Sequence, residues 1–168
     1  VDREKMSKSV GNVLLVHDLL KHTSGEAIRL ALLNAHYRQP LDWTDDGLVQ
    51  AKRMLDRLYG ALRKLEDTEV TIGTKPNANF LAALNDDLNT PKALATLFDL
   101  ARKANSANDI ADKRRIKSEL IASGQLLGIL QADPEEWFSA KKYGETALDT
   151  AHINELIEAR QTAKAKQD

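Results

Sequence analysis

Two lysines stand three residues apart in the string Lys5-Met6-Ser7-Lys8-Ser9-Val10-Gly11-Asn12. Two ammonium groups on a short loop, interleaved with hydroxyls and followed by a glycine where the chain must turn, suit a polyphosphate. When a nucleophile displaces pyrophosphate from the α-phosphorus of ATP, negative charge grows on the departing group. Placed cations stabilise that transition state more than the ground state. Ser7 and Ser9 could donate hydrogen bonds to phosphate oxygens or merely shape the loop. The plainer reading of lysines among serines is a solvated terminus.

Further candidates are each matched by a plainer reading. Lys113, Arg114, Arg115 and Lys117, with Arg102 and Lys103, bring residues 101–117 to six basic against two acidic. Such a run could contact RNA phosphates, or be a solvated helix face. Trp43 could stack on a base, but its place before Thr44 favours a hydrophobic staple against Leu48. His36, Tyr37 and Arg38 could face a ligand or a neighbouring domain, or simply end a helix ahead of Pro40. Asp86, Asp87 and Asn89 could form a carboxylate or magnesium site; adjacent carboxylates diverge on regular structure, so turn and capping chemistry before Thr90-Pro91 is the simpler account.

The elements that would position these residues are helical. The chain has 22 Ala and 25 Leu against 6 Val and 8 Ile, favouring side chains that lose little rotamer freedom in a helix. Leu48, Ala51, Leu55, Leu58, Leu62 and Leu65 recur at spacings of three and four and predict a helix over about 45–65. Thr23 and Glu26 have capping-box spacing ahead of a buried helix over 27–35. Thr90 as N-cap with Pro91 in the first turn opens a helix with Leu94, Leu97, Phe98 and Ala101 inward. A helix over about 109–130 carries Ile116, Leu120, Leu127 and Leu130, with Gly124 and Gly128 marking tight packing. Asp133-Pro134 starts a short helix anchored by Trp137 and Phe138, and a last helix from about Thr150 would pack Ile153, Leu156, Ile157 and Ala163 on the bundle. Residues 67–79 and 139–149 are the connections. The expected fold class is all-α.

The 168 residues suffice for one domain or two small ones, and 42% apolar content allows a core. The net charge of -1 argues against a histone-like protein or an acidic tail. Without cysteine there is no disulfide, and His17, His22, His36 and His152 lack metal-ligand spacing. Apolar runs fall far short of the roughly 20 residues a membrane span needs. The expectation is a soluble, cytoplasmic chain with no membrane partner, both of whose ends look cut from something longer.

The string Lys5 to Ser9, with Gly11-Asn12 behind it, resembles the second signature motif of class I aminoacyl-tRNA synthetases. Ala35-His36-Tyr37-Arg38, Leu41-Asp42-Trp43 and Asn85-Asp86-Asp87-Leu88-Asn89-Thr90-Pro91 follow in an order similar to the cysteine-specific branch. The resemblance covers essentially the whole chain. It implies a KMSKS loop and connecting helices over 1–43, then over 44–168 a helical bundle of the anticodon-binding type that meets tRNA(Cys), truncated before a small C-terminal module. It implies ATP with magnesium, bound by Lys5, Met6, Ser7, Lys8, Ser9 and Gly11, with Lys8 stabilising the transition-state charge and Lys5 assisting, and cysteine selected by a zinc in a preceding catalytic domain with a HIGH motif, which these residues do not contain. A segment lacking that domain is expected to be inactive alone. Alternatives are a cysteine ligase of mycothiol biosynthesis, which keeps the same loop, and a free-standing helical module that binds tRNA or protein without catalysis.

Overall fold

The computed structural model describes Met6, Ser7, Ser9, residues 13–139, Glu155, residues 157–160 and Thr162. Among these residues there are helices and connections and no strand. The helices are α1 (Val16–Leu19), α2 (Gly25–Leu33), α3 (Asp45–Arg63), α4 (Ala78–Asn85), α5 (Thr90–Ser106), α6 (Ile110–Leu126) and α7 (Pro134–Ser139). The all-α expectation holds.

α3 is the central element, packing on α2, α5 and α7, while α5 also packs on α4 and α6. Its apolar stripe behaves as the spacing predicts: Ala51, Leu55, Leu58 and Leu62 are buried, with Leu65 just beyond the helix and Leu48 partly buried. Leu94, Leu97, Leu100, Ala101 and Ala104 of α5 face this stripe within one core, completed by Ala27 and Leu30 of α2, Phe80 of α4, and Ile116 and Leu120 of α6. Phe98 is only partly buried against the core, and the Arg57 guanidinium lies over it, 5.2 Å from ring centroid to Cζ.

Helix starts follow capping chemistry, with two corrections to the expected residues. Ser24, not Thr23, caps α2, accepting from the Ala27 amide at 3.2 Å. Glu26 makes no capping box, since its carboxylate is taken by Tyr59 and by the backbone after α6. Asn89, not Thr90, caps α5, accepting from Lys92 N at 3.1 Å; the Thr90 hydroxyl instead donates to the Leu33 carbonyl at 2.7 Å. Thr44 caps α3 and Asp109 caps α6, each satisfying first-turn amides that have no intrahelical partner. α2 is less enclosed than its composition suggests, because Leu32 is exposed.

α6 stops at Leu126, four residues before the predicted end, and the chain reverses through Gly128 (φ +68°) and Leu130 (φ +59°). The reversal folds onto α6: a Cβ on Gly124 would stand 2.8 Å from Leu130 Cδ1 and 3.2 Å from the Ile129 carbonyl oxygen. Gly124 therefore marks close packing, as expected, and Ile129 and Leu130 enter the core. Asp133 then caps α7, where Trp137 stacks on Tyr59 at 4.3 Å and donates to Asp56 at 2.8 Å. Phe138 is not an anchor; it is exposed beneath Arg63.

The connection between α3 and α4 is held by α6. Ser118 Oγ accepts from Thr71 N at 2.9 Å, Ser123 Oγ accepts from Asn77 N at 3.0 Å, and Asn77 donates to Glu119 at 2.6 Å. Of the expected last helix, Glu155, Ile157 to Arg160 and Thr162 are helical, and Ile157 is exposed rather than packed; Ile153, Leu156 and Ala163 lie outside the described residues, as does most of the 139–149 connection.

Candidate functional site

Of the phosphate-loop candidates, Lys5, Lys8 and Gly11 lie outside the described residues. Met6 is exposed, and the Ser7 and Ser9 hydroxyl oxygens are 2.8 Å apart. Beyond them, Val13, Leu14, Leu15, Val16 and Leu20 form an apolar stretch around α1, with Leu15 57% and Val16 56% exposed. Among the described residues this is a contiguous exposed apolar run beside the motif.

His36, Tyr37 and Arg38 leave the end of α2 and converge on Asp87. Tyr37 donates to Asp87 Oδ1 at 2.7 Å, Arg38 Nε lies 3.1 Å from Oδ2, and His36 Nε2 lies 3.1 Å from the Asp87 carbonyl oxygen. The His36 and Tyr37 rings stack at 5.0 Å. Asp87 and Leu88 both sit in the left-handed region, at φ +54° and +51°. Asp87 is thus neither a helix cap nor half of a carboxylate pair: it is tied to the connecting segment, while Asp86 pairs with Lys92 at 3.4 Å. Among the described residues no group of three or more His, Cys, Asp or Glu side chains could hold a metal ion.

The basic run on α6 is largely engaged. Lys117 Nζ donates to the carbonyls of Leu65, Glu66 and Thr68 at 2.8, 3.2 and 2.8 Å, closing the carbonyl end of α3. Burial holds its pKa below the usual lysine value. Arg114 pairs with Glu69 at 3.3 Å, and Arg115 with Asp112 and Glu119 at 2.9 and 3.4 Å. Among the described residues Lys113 alone of the four has no such partner. Trp43 is buried and lines a cavity together with Leu48, the positions a staple would join, and among the described residues its indole N–H has no hydrogen-bond partner.

A second basic feature is scattered along the sequence and assembled only by folding. Arg57 of α3 and Lys64 at its C-cap meet Arg102 and Asn105 of α5 across an open groove of about 350 Å³. Period-seven spacing of Arg57 and Lys64 was the available signal, hidden within a helix already assigned to the core.

Sequence comparison agrees with this division of labour. Residues 1–53 match the family model described as tRNA synthetases class I (C) catalytic domain, and residues 79–131 match the DALR domain. The class is therefore that of the class I tRNA synthetases. Proteins named cysteine--tRNA ligase are similar along nearly the whole chain: 59% identical over 167 residues in Parvibaculum lavamentivorans and 52% over 168 in Maricaulis maris, each covering 98% of this chain and 35% of the relative. The Rhodospirillum rubrum protein of the same name is 48% identical over 168 residues, covering 100% of this chain and 36% of the relative. The chain belongs to the cysteine--tRNA ligase family, and it spans about a third of the length of the curated relatives it matches.

Proposed function

We propose that this chain supplies the ATP-facing loop and the tRNA-binding helical bundle of a cysteine--tRNA ligase. The observation that carries the reading is the order of the two matches: the Lys5 to Ser9 string falls within the segment matched by the catalytic model, and the DALR match covers α5, α6 and all but the first residue of α4. In the reaction the cysteine carboxylate attacks the α-phosphorus of ATP, the bond to the β-phosphate oxygen breaks, and pyrophosphate leaves. The resulting adenylate then passes cysteine to the 3′ end of tRNA(Cys). Lys8, assisted by Lys5, meets the charge that develops on pyrophosphate, with Met6, Ser7, Ser9 and Gly11 completing the ATP contact. Magnesium would accompany the ATP, and selection of cysteine would rest on a zinc held by a catalytic domain outside these residues.

The exposed apolar stretch around α1 supports docking of that catalytic domain. We divide the chain at 43/44, where Trp43 closes the connecting segment and Thr44 caps the bundle, although Ala27 and Leu30 share its core. On α6, Lys113 is available to a tRNA phosphate, and Arg114 and Arg115 become so by opening their ion pairs. No helix among the described residues is long and apolar enough to cross a membrane, in keeping with a cytoplasmic enzyme. The names of the relatives favour this reading over the mycothiol ligase.

The test is cysteine-dependent pyrophosphate exchange. In the full-length enzyme Lys8→Ala should lower the exchange rate by about 10²–10³, and the 168-residue chain alone should give none. A full-length Lys8→Ala variant as fast as its parent removes the assignment of Lys8, and turnover by the 168-residue chain removes the dependence on a further domain.

A further inference from the structure

The groove between α3 and α5 has the build of a strand-binding surface. Arg57, Gly60 and Lys64 lie at positions i, i+3 and i+7, so they share one stripe of α3. The two cations are separated along the axis by about 10 Å, far enough apart to meet different phosphates of one strand. Across the groove, Arg102 and Asn105 extend the donors onto α5. None of the lining residues is acidic, and among the described residues neither Arg57 nor Lys64 has a carboxylate partner. Arg102 is held by Asp99 at 2.6 Å, within α5. The Arg57 guanidinium rests on the Phe98 ring, so its position is fixed by packing while it keeps its charge. Gly60 leaves the floor open, with nothing within 4 Å of a built Cβ.

We propose that this groove, rather than the basic run on α6, takes the phosphodiester backbone of the tRNA, with Arg57 and Lys64 as its principal phosphate contacts. The inference rests on the tRNA-ligase reading and adds to it the place where the bundle holds its RNA. Planar Arg57 and flexible Lys64 would each neutralise a phosphate, releasing counterions, so the binding should be steeply salt-dependent and tolerant of sequence.

The experiment is a titration of the 168-residue chain with tRNA(Cys), followed by fluorescence anisotropy at several salt concentrations. The variants are Arg57→Ala with Lys64→Ala, Gly60→Glu, and a Lys113/Arg114/Arg115 triple alanine. Each lost phosphate contact should weaken binding roughly five- to eightfold at about 0.1 M salt and lower the salt slope by about 0.7–0.9. Gly60→Glu tests the groove independently of the cations: it places a carboxylate in the floor while leaving the melting temperature no lower, since a helical glycine with open space is replaced by a better helix former. Losses in both groove variants larger than in the triple alanine, with unchanged melting, are expected. Undiminished binding by the groove variants, or a greater loss in the triple alanine, overturns the groove and leaves the ligase reading standing. Failure of the parent chain to bind tRNA at any salt overturns the groove together with the tRNA-binding role of the bundle.

Discussion

The Tyr59 phenol and the Glu26 carboxylate, 33 residues apart, join α3 to α2 through contacts of 3.0 and 2.9 Å. The same carboxylate accepts from the amides of Leu130 and Gln131 at 3.0 and 2.9 Å, and the Tyr59 oxygen accepts from Ala132 N at 3.1 Å. One acid therefore closes the chain reversal after α6, where the backbone has no helical partner. Glu26→Ala strands these donors in a partly buried place and should cost about 3 kcal/mol, while Glu26→Gln, which keeps one acceptor, should cost about 1 kcal/mol. Urea midpoints of the two variants against the parent check the order.

Alkaline pH should weaken the same junction. Burial first, and then the Glu26 charge, push the Tyr59 hydroxyl above its ordinary range. The folded state thus keeps a proton that the unfolded chain gives up, so the contribution is complete below about pH 10 and is lost as pH rises beyond it. Tyr59→Phe should be less stable than the parent at neutral pH by about 1–3 kcal/mol. It should also show a shallower fall in urea midpoint between about pH 9 and 11, whereas equal slopes would remove Tyr59 as the source.

Two glycines within helices should respond with opposite signs. Gly124→Ala drives a methyl group against Leu130 and the Ile129 carbonyl, and should cost about 1–3 kcal/mol despite its better helix propensity. Gly60→Ala meets open space and should add about 0.5–1 kcal/mol. Thermal melts of the two variants give the comparison directly.

Within the α6 basic run, stability should depend on one residue. Lys117→Met leaves three carbonyls at the end of α3 without their donor and should cost about 1–2 kcal/mol. Lys113→Ala should change stability by less than about 0.5 kcal/mol. Chemical denaturation of both variants would show whether the run is divided in this way.

The limits of sequence reading lie where a side chain serves a distant partner. α3 was legible because Leu55, Leu58 and Leu62 face one core at helical spacing, and Trp43 because a staple is local. Thr90 was mistaken for a cap since its hydroxyl is drawn to Leu33, and Glu26 for half of a capping box since its acceptors are used by residues 130 and 131. Neither bond has a local signature. The α6 run was visible as a cluster yet three of its four cations are engaged, while Arg57, Lys64 and Arg102 looked dispersed and share a groove. Contiguity in sequence measures charge density along the chain, and only packing decides which charges meet solvent.

The turn at Asp87 and Leu88 bears on what the connecting segment contributes. Two consecutive non-glycine residues with left-handed backbones are unfavourable locally, and the bonds that hold Asp87 come from His36, Tyr37 and Arg38, about 50 residues away. The turn itself is closed by local bonds, from Leu88 N to the Leu84 carbonyl at 3.0 Å and from Asn89 N to the Ala83 carbonyl at 3.1 Å, and the connecting segment adds the bonds to Asp87 that offset its backbone cost. An unattached 79–131 segment keeps the local bonds and loses the added ones, so amide exchange at Leu88 should be faster there than in the whole chain.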